Sequence, residues 1–454
     1  MTEPRRIVVT GASGNVGAGV LRALARTVPD AEVVGVCRRP PASGAPYERV
    51  RWHSVDLSSP DAATALAPAM RDADVVIHLA LAIQPLYDED YLYRANVLGS
   101  QAVLDAMATA GVPQLVYASS LGIYAAGATG PVTETWSTAG QSTSTYSRHK
   151  VMVEDLLDRF EAERPDTVVS RFRPTVVVQR EAASEIQSLY IGPVIPRAAL
   201  KLLRRRVLPV LPLPRGLSLQ FVHSDDVGDA VARMMLRRVR GSFNVAADPL
   251  DSAALADLVG GRPVGVDPGL FRRAVVALHR LRVVAVTPGW YDVATKSPLM
   301  DTTKARRELG WTPTRSSTEA ARELIDGLAE GVVGTSAAMG WKEDSMTSRT
   351  TLDWVHDGTL ALWGASAVVA AARRRRLGPL TAVAVAGNLA AGTPAALERV
   401  RQRRRDPVAL LAPAAVGAGI LATLRGGWAP VAATVALGGL RASEIRRGAR
   451  QAIQ

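Results

Sequence analysis

The chain has 454 residues, 48% hydrophobic and 21% charged, with one cysteine and six histidines. That length can bury the cores of two or three domains. A lone cysteine excludes an intramolecular disulfide and suits a reducing cytoplasm, and the scattered histidines lack the paired-ligand spacing of a metal site. The net charge of +12 is unevenly placed: from Ser345 onward 15 Arg and Lys face 5 Asp and Glu, against 39 and 37 in the first 344 residues.

Ile7-Val8-Val9-Thr10 is a short β-branched run, which predicts a buried parallel strand; no basic segment followed by an apolar stretch marks a cleavable signal. Gly11-Ala12-Ser13-Gly14-Asn15-Val16-Gly17 follows at once, and Val16, Val20, Leu21 and Leu24 then recur at helical spacing. Strand, glycine turn and helix in that order are the setting of a dinucleotide-binding loop. Gly11 permits the tight turn, Gly14 lets backbone N–H groups approach a pyrophosphate, and Gly17 lets the helix pack closely on the strand. The helix would aim its positive N-terminal end at the phosphates.

A second strand, Glu32 to Val36, ends at Cys37-Arg38-Arg39. An NAD-selective site usually puts an acid there for the ribose 2′-hydroxyl. Here a cysteine stands in its place and two guanidinium groups follow, which suits the 2′-phosphate of NADP. NADP(H) is therefore the preferred cofactor, with NAD(H) left open. Val50 to Leu57 predicts a third strand, with Asp56 able to accept from the adenine amino group. Asp74 to Ala80 predicts a fourth, whose apolar end at Leu79 and Ala80 would border the cofactor; His78 within it reads as a packed, hydrogen-bonded histidine. Asn96 to Ala110 reads as a helix, and Gln114 to Ala118 as a fifth strand that ends at Ser119-Ser120. Strands alternating with helices predict an α/β fold with a doubly wound parallel sheet and its chemistry at the carboxyl ends of the strands.

Tyr146 and Lys150 stand four residues apart, which places a phenol and an ammonium on one face of a helix. Such a lysine favours the phenolate and would bring the tyrosine closer to proton exchange near neutral pH. Hydride transfer from a nicotinamide to a carbonyl leaves charge on the oxygen, which needs a proton donor and a second hydrogen bond; Tyr146 and Ser120 can supply them.

With these pieces in order, the chain resembles an extended short-chain dehydrogenase/reductase of the NAD-dependent epimerase/dehydratase type, from about residue 5 to about residue 335. The resemblance rests on Thr10 to Gly17, His78-Leu79-Ala80, Asn96-Val97-Leu98-Gly99, Ser119-Ser120 and the Tyr146/Lys150 pair. It continues through Arg171 to Pro174, Phe221 to Val227, Phe243 to Ala246 and Asp301 to Trp311. It implies a Rossmann sheet with a smaller substrate-binding part. Tyr146 would be the general acid/base, and Lys150 would hold the nicotinamide ribose and depress the tyrosine pKa. Ser120, chosen over Ser119 from its distance to Tyr124, would bond the reacting oxygen. Asn96 would order the helix and a water chain behind the lysine. Gly11, Ser13, Gly14, Asn15, Val16, Gly17, Arg38, Arg39, Asp56, Leu57, Leu79, Ala80 and Pro174 would contact the cofactor. Pairing of two copies through the helices near Asn96 and Tyr146 is a further implication.

Sugar-nucleotide dehydratases of this family usually carry an Asp-Glu pair after the catalytic hydroxyl residue; Leu121-Gly122 stands here, which argues against 4,6-dehydration. A reductase or dehydrogenase acting on a carbonyl or hydroxyl is the leading expectation. The alternatives are an epimerase of a nucleotide-linked sugar and a non-catalytic dinucleotide-binding protein. Residues 1–335 would form the enzyme domain, the cofactor part to about 174 and the substrate part mostly 175–300. In that part Lys201, Arg204, Arg205 and Arg206 read as a solvated face before an anion site, and Trp290 and Tyr291 as pocket wall or core. The His223, Asp225 and Asp226 set would brace the junction of the two parts.

Residues 336–354 read as a linker, and 355–454 as an apolar, Arg-rich helical region. Thr359–Ala372, Leu377–Gly392, Pro407–Leu424 and Gly426–Leu440 are apolar blocks short for full spans and divided by arginines. Four crossings would put Arg373 to Arg376 outside, against the positive-inside tendency. Association with an anionic membrane surface is the leading expectation for a protein otherwise cytoplasmic, ahead of a soluble helical appendage. Nucleic acid is not expected as a partner, because the arginines lack interleaved aromatics.

Overall fold

Alternate residues of the first strand divide between two cores, and that sets the architecture. Ile7 and Val9 pack with Val20, Leu24 and Met234, whereas Val8 packs with Val34, Leu66, Leu104 and Leu157. A strand covered on both faces has no polar side to alternate, hence the unbroken apolar run. The computed structural model describes residues 3–41, 44–83, 88–191, 200, 203–206, 209–280 and 286–340.

The strands in chain order are β1 (Arg6–Thr10), β2 (Glu32–Cys37), β3 (Val50–Ser54), β4 (Val75–His78), β5 (Gln114–Ala118) and β6 (Val168–Pro174), then β7 (Val176–Val178), β8 (Val210–Pro214), β9 (Ser218–His223), β10 (Gly241–Val245), β11 (Pro249–Asp251) and β12 (Arg262–Val266). Seven form one parallel sheet in the order β10-β6-β5-β4-β1-β2-β3. β11, β9 and β7 make a three-stranded sheet, and β12 pairs with β8. The doubly wound Rossmann-type sheet expected from the alternation of elements is therefore present. The third and fourth strands are shorter than expected. Past Ser54 the chain turns at Asp56, whose Oδ1 accepts from the Ser58 N–H at 2.9 Å.

Helices α1 (Asn15–Thr27), α2 (Ala62–Met70), α3 (Glu89–Tyr93), α4 (Gly99–Ala110) and α5 (Thr145–Glu163) accompany the sheet. The helix expected from Asn96 is preceded by α3 and a π-helical turn, Arg94–Leu98, which offsets the register at Asn96. The helix Ser224–Arg237 crosses α1 at two glycines: a Cβ on Gly19 would lie 2.1 Å from the Ser224 carbonyl oxygen, and one on Gly228 2.2 Å from that of Gly19. Only hydrogen side chains permit this backbone contact.

One expectation for the later chain changes. Ser336 and Met339 are buried, so the linker expected from 336 is packed at least to Gly340. Of the basic run 197–206, Arg204 pairs with Glu330 and Arg206 with Asp257, as a solvated face would, while Lys201 lies outside the described residues. The four apolar blocks also lie outside them. Among the described residues no helix is long and apolar enough to cross a membrane.

Candidate active site

The sheet order reverses at β1. β2 and β3 lie to one side and β4, β5 and β6 to the other, so a crevice opens beyond the carboxyl ends of β1 and β4. The chain leaves β1 through Gly11, whose φ of +70° suits glycine; a Cβ there would also sit 2.7 Å from the Ala80 backbone nitrogen, just past β4. Gly17 is held as tightly, since a Cβ would lie 2.4 Å from the Ala12 carbonyl oxygen. Gly14 caps α1, whose first turn carries no acid to oppose an anion. Beside this loop runs a cleft lined by Gly11, Ser13, Arg38, Arg39, Asp56, Leu57 and Ala80, all expected at the cofactor, together with Cys37 and Tyr91.

At the end of β2, Arg38 donates to the Tyr91 hydroxyl and its guanidinium lies 5.9 Å from that ring's centroid. Sequence reasoning missed Tyr91. Asp56 is held below the usual carboxylate range by Ser58 and Arg38, against the effect of burial. Asn15 faces away from an open role: its Nδ2 donates to the Val177 carbonyl at 2.9 Å and its Oδ1 accepts from Gln179 at 2.8 Å, tying the start of α1 to the chain after β6. Pro174, also expected at the cofactor, closes β6 and is buried. A dinucleotide fits this set: a loop without side chains at its two closest approaches, a helix N-terminus free of acids and a cleft with arginines at one end.

The tyrosine, lysine and serine expected to act together come from β5 and α5. Ser144 caps α5, accepting from the Ser147 N–H at 3.3 Å, and the Ser147 hydroxyl donates to the Gly122 carbonyl at 2.6 Å. This fixes the helix start against the loop after β5. The Ser120 Oγ accepts from the Gly122 N–H at 2.9 Å and lies with the Tyr146 ring around Gly122, where it pulls the phenol down against burial. Ser119 points elsewhere, donating to Glu154 in a buried cluster. Arg173 grips the same carboxylate at 3.1 and 2.6 Å. Burial would raise the Glu154 carboxyl, but Arg173, Ser119 and Arg171 hold it below the usual range.

Electrostatics at the pair differ from expectation. Burial pushes Tyr146 up to about 12, with Ser120 pulling the other way. Burial pushes Lys150 down to about 7, partly opposed by Glu154 one turn on. The Lys150 ammonium donates to the Ala118 carbonyl at 2.5 Å and lies 3.3 Å from the Tyr117 hydroxyl. It is thus oriented toward β5, and the expected depression of the tyrosine by the lysine is absent: burial raises Tyr146 and Ser120 is what opposes it. Tyr117 and Glu154 were not anticipated, although Glu154 continues the four-residue spacing of Tyr146 and Lys150.

The Asn96 side chain bonds a single backbone unit. Its Oδ1 accepts from the Ala82 N–H at 2.7 Å and its Nδ2 donates to the Ala82 carbonyl at 2.8 Å, pinning the chain after β4. Thr10, His78 and Ser100 form a hydrogen-bonded chain that ends on the Asn96 backbone. The Thr10 hydroxyl donates to His78 Nδ1 (2.6 Å), Nε2–H donates to Ser100 (2.9 Å), and the Ser100 hydroxyl donates to the Asn96 carbonyl (2.6 Å). Burial lowers His78 to about 3, so it stays neutral, the packed histidine the sequence suggested.

From the substrate side, the indole of Trp290 stacks on Tyr146 at 4.5 Å between centroids. Gly289 brings its helix, Pro288–Lys296, against Thr143, and Asp292 receives the Thr143 hydroxyl at 2.8 Å. Arg272 and Lys296 also bind Asp292. As expected of a brace, Asp225 joins Arg22 to Arg315 and Asp226 accepts from the backbone at Thr314 and Arg315.

Comparison with known proteins now bears on this arrangement. A family model described as the NAD dependent epimerase/dehydratase family matches residues 7–246. The dTDP-6-deoxy-L-talose 4-dehydrogenase (NAD(P)(+)) of Kitasatospora kifunensis is 27% identical over 339 residues, covering 71% of this chain and 95% of that protein. Among solved structures, MoeE5 in complex with UDP-glucose and NAD has a TM-score of 0.50 at 23% identity, covering 72% of this chain and 99% of its own. UDP-N-acetylglucosamine 4-epimerase from Methanobrevibacter ruminantium M1 in complex with UDP-N-acetylmuramic acid has a TM-score of 0.55 at 17% identity, covering 73% and 100%. The two structures share the fold.

Proposed function

Because the chain belongs to the NAD dependent epimerase/dehydratase family, we propose that it is an NADP(H)-preferring reductase or dehydrogenase that interconverts a carbonyl and a hydroxyl on a small substrate. The observation that carries this reading is the cluster of Ser120, Tyr146 and Lys150 beside a glycine loop at the sheet's switch point. A bound nicotinamide supplies or accepts the hydride. Tyr146 stays protonated through the physiological range and would donate its proton to the substrate oxygen as charge grows there. The Ser120 Oγ already accepts from Gly122, which leaves its own O–H for that oxygen or for Tyr146. In its cationic form Lys150 would hold the nicotinamide ribose and stabilise charge on the phenol.

Arg38 and Arg39, with no acid at the end of β2, support NADP(H) over NAD(H); Tyr91 orients Arg38 for a 2′-phosphate. Leu121–Ile123, a 3₁₀ turn, offers no acid beside Ser120 for a dehydratase step. A nucleotide-linked sugar is the favoured substrate class, since the talose dehydrogenase relative acts on one by its name. The test is NADPH and NADH oxidation with sugar nucleotides, ketones and aldehydes. Tyr146→Phe should lower turnover by about two to four orders of magnitude while keeping cofactor affinity. Near-normal turnover in that variant would sink the mechanism. A tightly held NAD on purification would favour an epimerase.

A further inference from the structure

We propose that residues 334–340, well beyond the stretch matched by the family, are a cofactor-binding strap: they pin the glycine loop and wall one end of the dinucleotide cleft. The proposal rests on the dinucleotide reading above.

The segment follows the helix Ser317–Glu330, which ends at Gly331 in left-handed backbone (φ +69°). The chain then turns back on itself. The Gly340 N–H donates to the Ser336 carbonyl at 2.6 Å and the Met339 N–H to the Ser336 hydroxyl oxygen at 3.2 Å. Gly334 is required by crowding, since a Cβ would lie 2.5 Å from that of Met339 and 2.9 Å from the Glu181 carbonyl oxygen. Met339 anchors the turn in the same buried core as Val20 and Trp311, and Gln179 reaches its sulfur at 3.8 Å. This is a built turn with a buried anchor.

Its contact with the cofactor loop is direct. The Ser336 hydroxyl donates to the Ser13 carbonyl at 2.5 Å, and the Tyr47 hydroxyl reaches the same oxygen at 3.3 Å. Two donors on one carbonyl fix the peptide at the middle of the glycine loop, whose N–H directions decide how well it binds a phosphate. Between the two buried residues, Ala337 and Ala338 are exposed and line the cleft with Gly11, Ser13 and Arg38. Uncharged methyl groups there would meet the adenosine half by van der Waals contact, leaving Arg38 and Arg39 to the phosphate. Coupling between two binding events is reciprocal: if a docked strap tightens dinucleotide binding, a bound dinucleotide tightens the strap by the same factor.

The test uses the full chain. Ser336→Ala removes the hydroxyl that holds Ser13 and receives the Met339 N–H, and Met339→Ala loosens the anchor. Both should raise the NADPH dissociation constant, read directly by nucleotide fluorescence, by about tenfold, with turnover recovered at saturating NADPH. Hydrogen exchange on the unmutated protein should slow at residues 334–340 when NADPH binds. An unchanged dissociation constant for Ser336→Ala, or exchange in the strap that ignores bound NADPH, overturns the strap alone. Failure of the unmutated protein to bind either nicotinamide dinucleotide removes the function and the strap together.

Discussion

At the scale of single residues, Tyr146, Lys150 and Ser120 lie within one helical turn and one strand end of each other, and their environment sets their charge. Tyr146 at about 12 and Lys150 at about 7 are displaced in opposite directions by the same cause, exclusion of water. The direction for lysine has a consequence in pH. A depressed lysine is cationic below its folded value and loses that charge as pH rises through it. If the ammonium holds the nicotinamide ribose, kcat/KM for NADPH should fall as pH rises through about 7, with no contribution from Tyr146 in that range. The profile from pH 5 to 9 checks this; a constant value to pH 9 would exclude a role for the charge. The two adjacent serines show how finely the strand end sorts side chains. Ser120 turns to the phenol and Ser119 to Glu154, about two turns further along α5.

At the scale of elements, the pattern of the first half was legible because it is local. A β-branched run, a glycine turn and a helix of period 3.6 each announce themselves within a dozen residues, and β1, α1, β2 and β5 lie where that periodicity puts them. The π-helical turn at Arg94–Leu98 was not legible, since one added residue in a helix leaves the apolar pattern nearly intact. Nor was the crossing of α1 with the helix Ser224–Arg237, where Gly19 meets Gly228 from more than two hundred residues away. Gly228→Ala should cost roughly 1–3 kcal/mol or more, because the added methyl would overlap the Gly19 carbonyl and force the helices apart. A urea midpoint shifted at unchanged slope would register it. Unaltered stability would mean the crossing has slack.

At the scale of the whole molecule, a buried acid on the helix Ser224–Arg237 helps fasten the closing motif of the enzyme part. Asp226 accepts from the Thr314 N–H and hydroxyl and from the Arg315 N–H, and its backbone carbonyl takes the Trp311 indole at 2.9 Å. Asp226→Ala should strand the donors at Thr314 and Arg315, leave the Trp311 bond to the backbone in place, and cost about 3 kcal/mol in chemical denaturation. A loss under about 0.5 kcal/mol would show that the motif holds without it. Met339 is seated in the same core, so the chain stays packed past the point where composition predicts a linker. Composition rich in Gly, Ser, Thr and Met predicts a linker there; what orders residues 334–340 is a buried methionine, a hydroxyl on the Ser13 carbonyl and the crowded Gly334.

The sequence by itself determined the family, the parallel sheet and the places of the glycine loop, Ser120, Tyr146 and Lys150, because periodicity, turn geometry and four-residue spacing act over one or two turns of chain. Only the tertiary structure decided which way burial moves the tyrosine and lysine, what Asn96 and Asn15 bind, and that residues near 336 return to the loop near 13. Those outcomes depend on how much water each group loses and on which distant backbone meets it. Neither quantity exists until the chain has closed on itself.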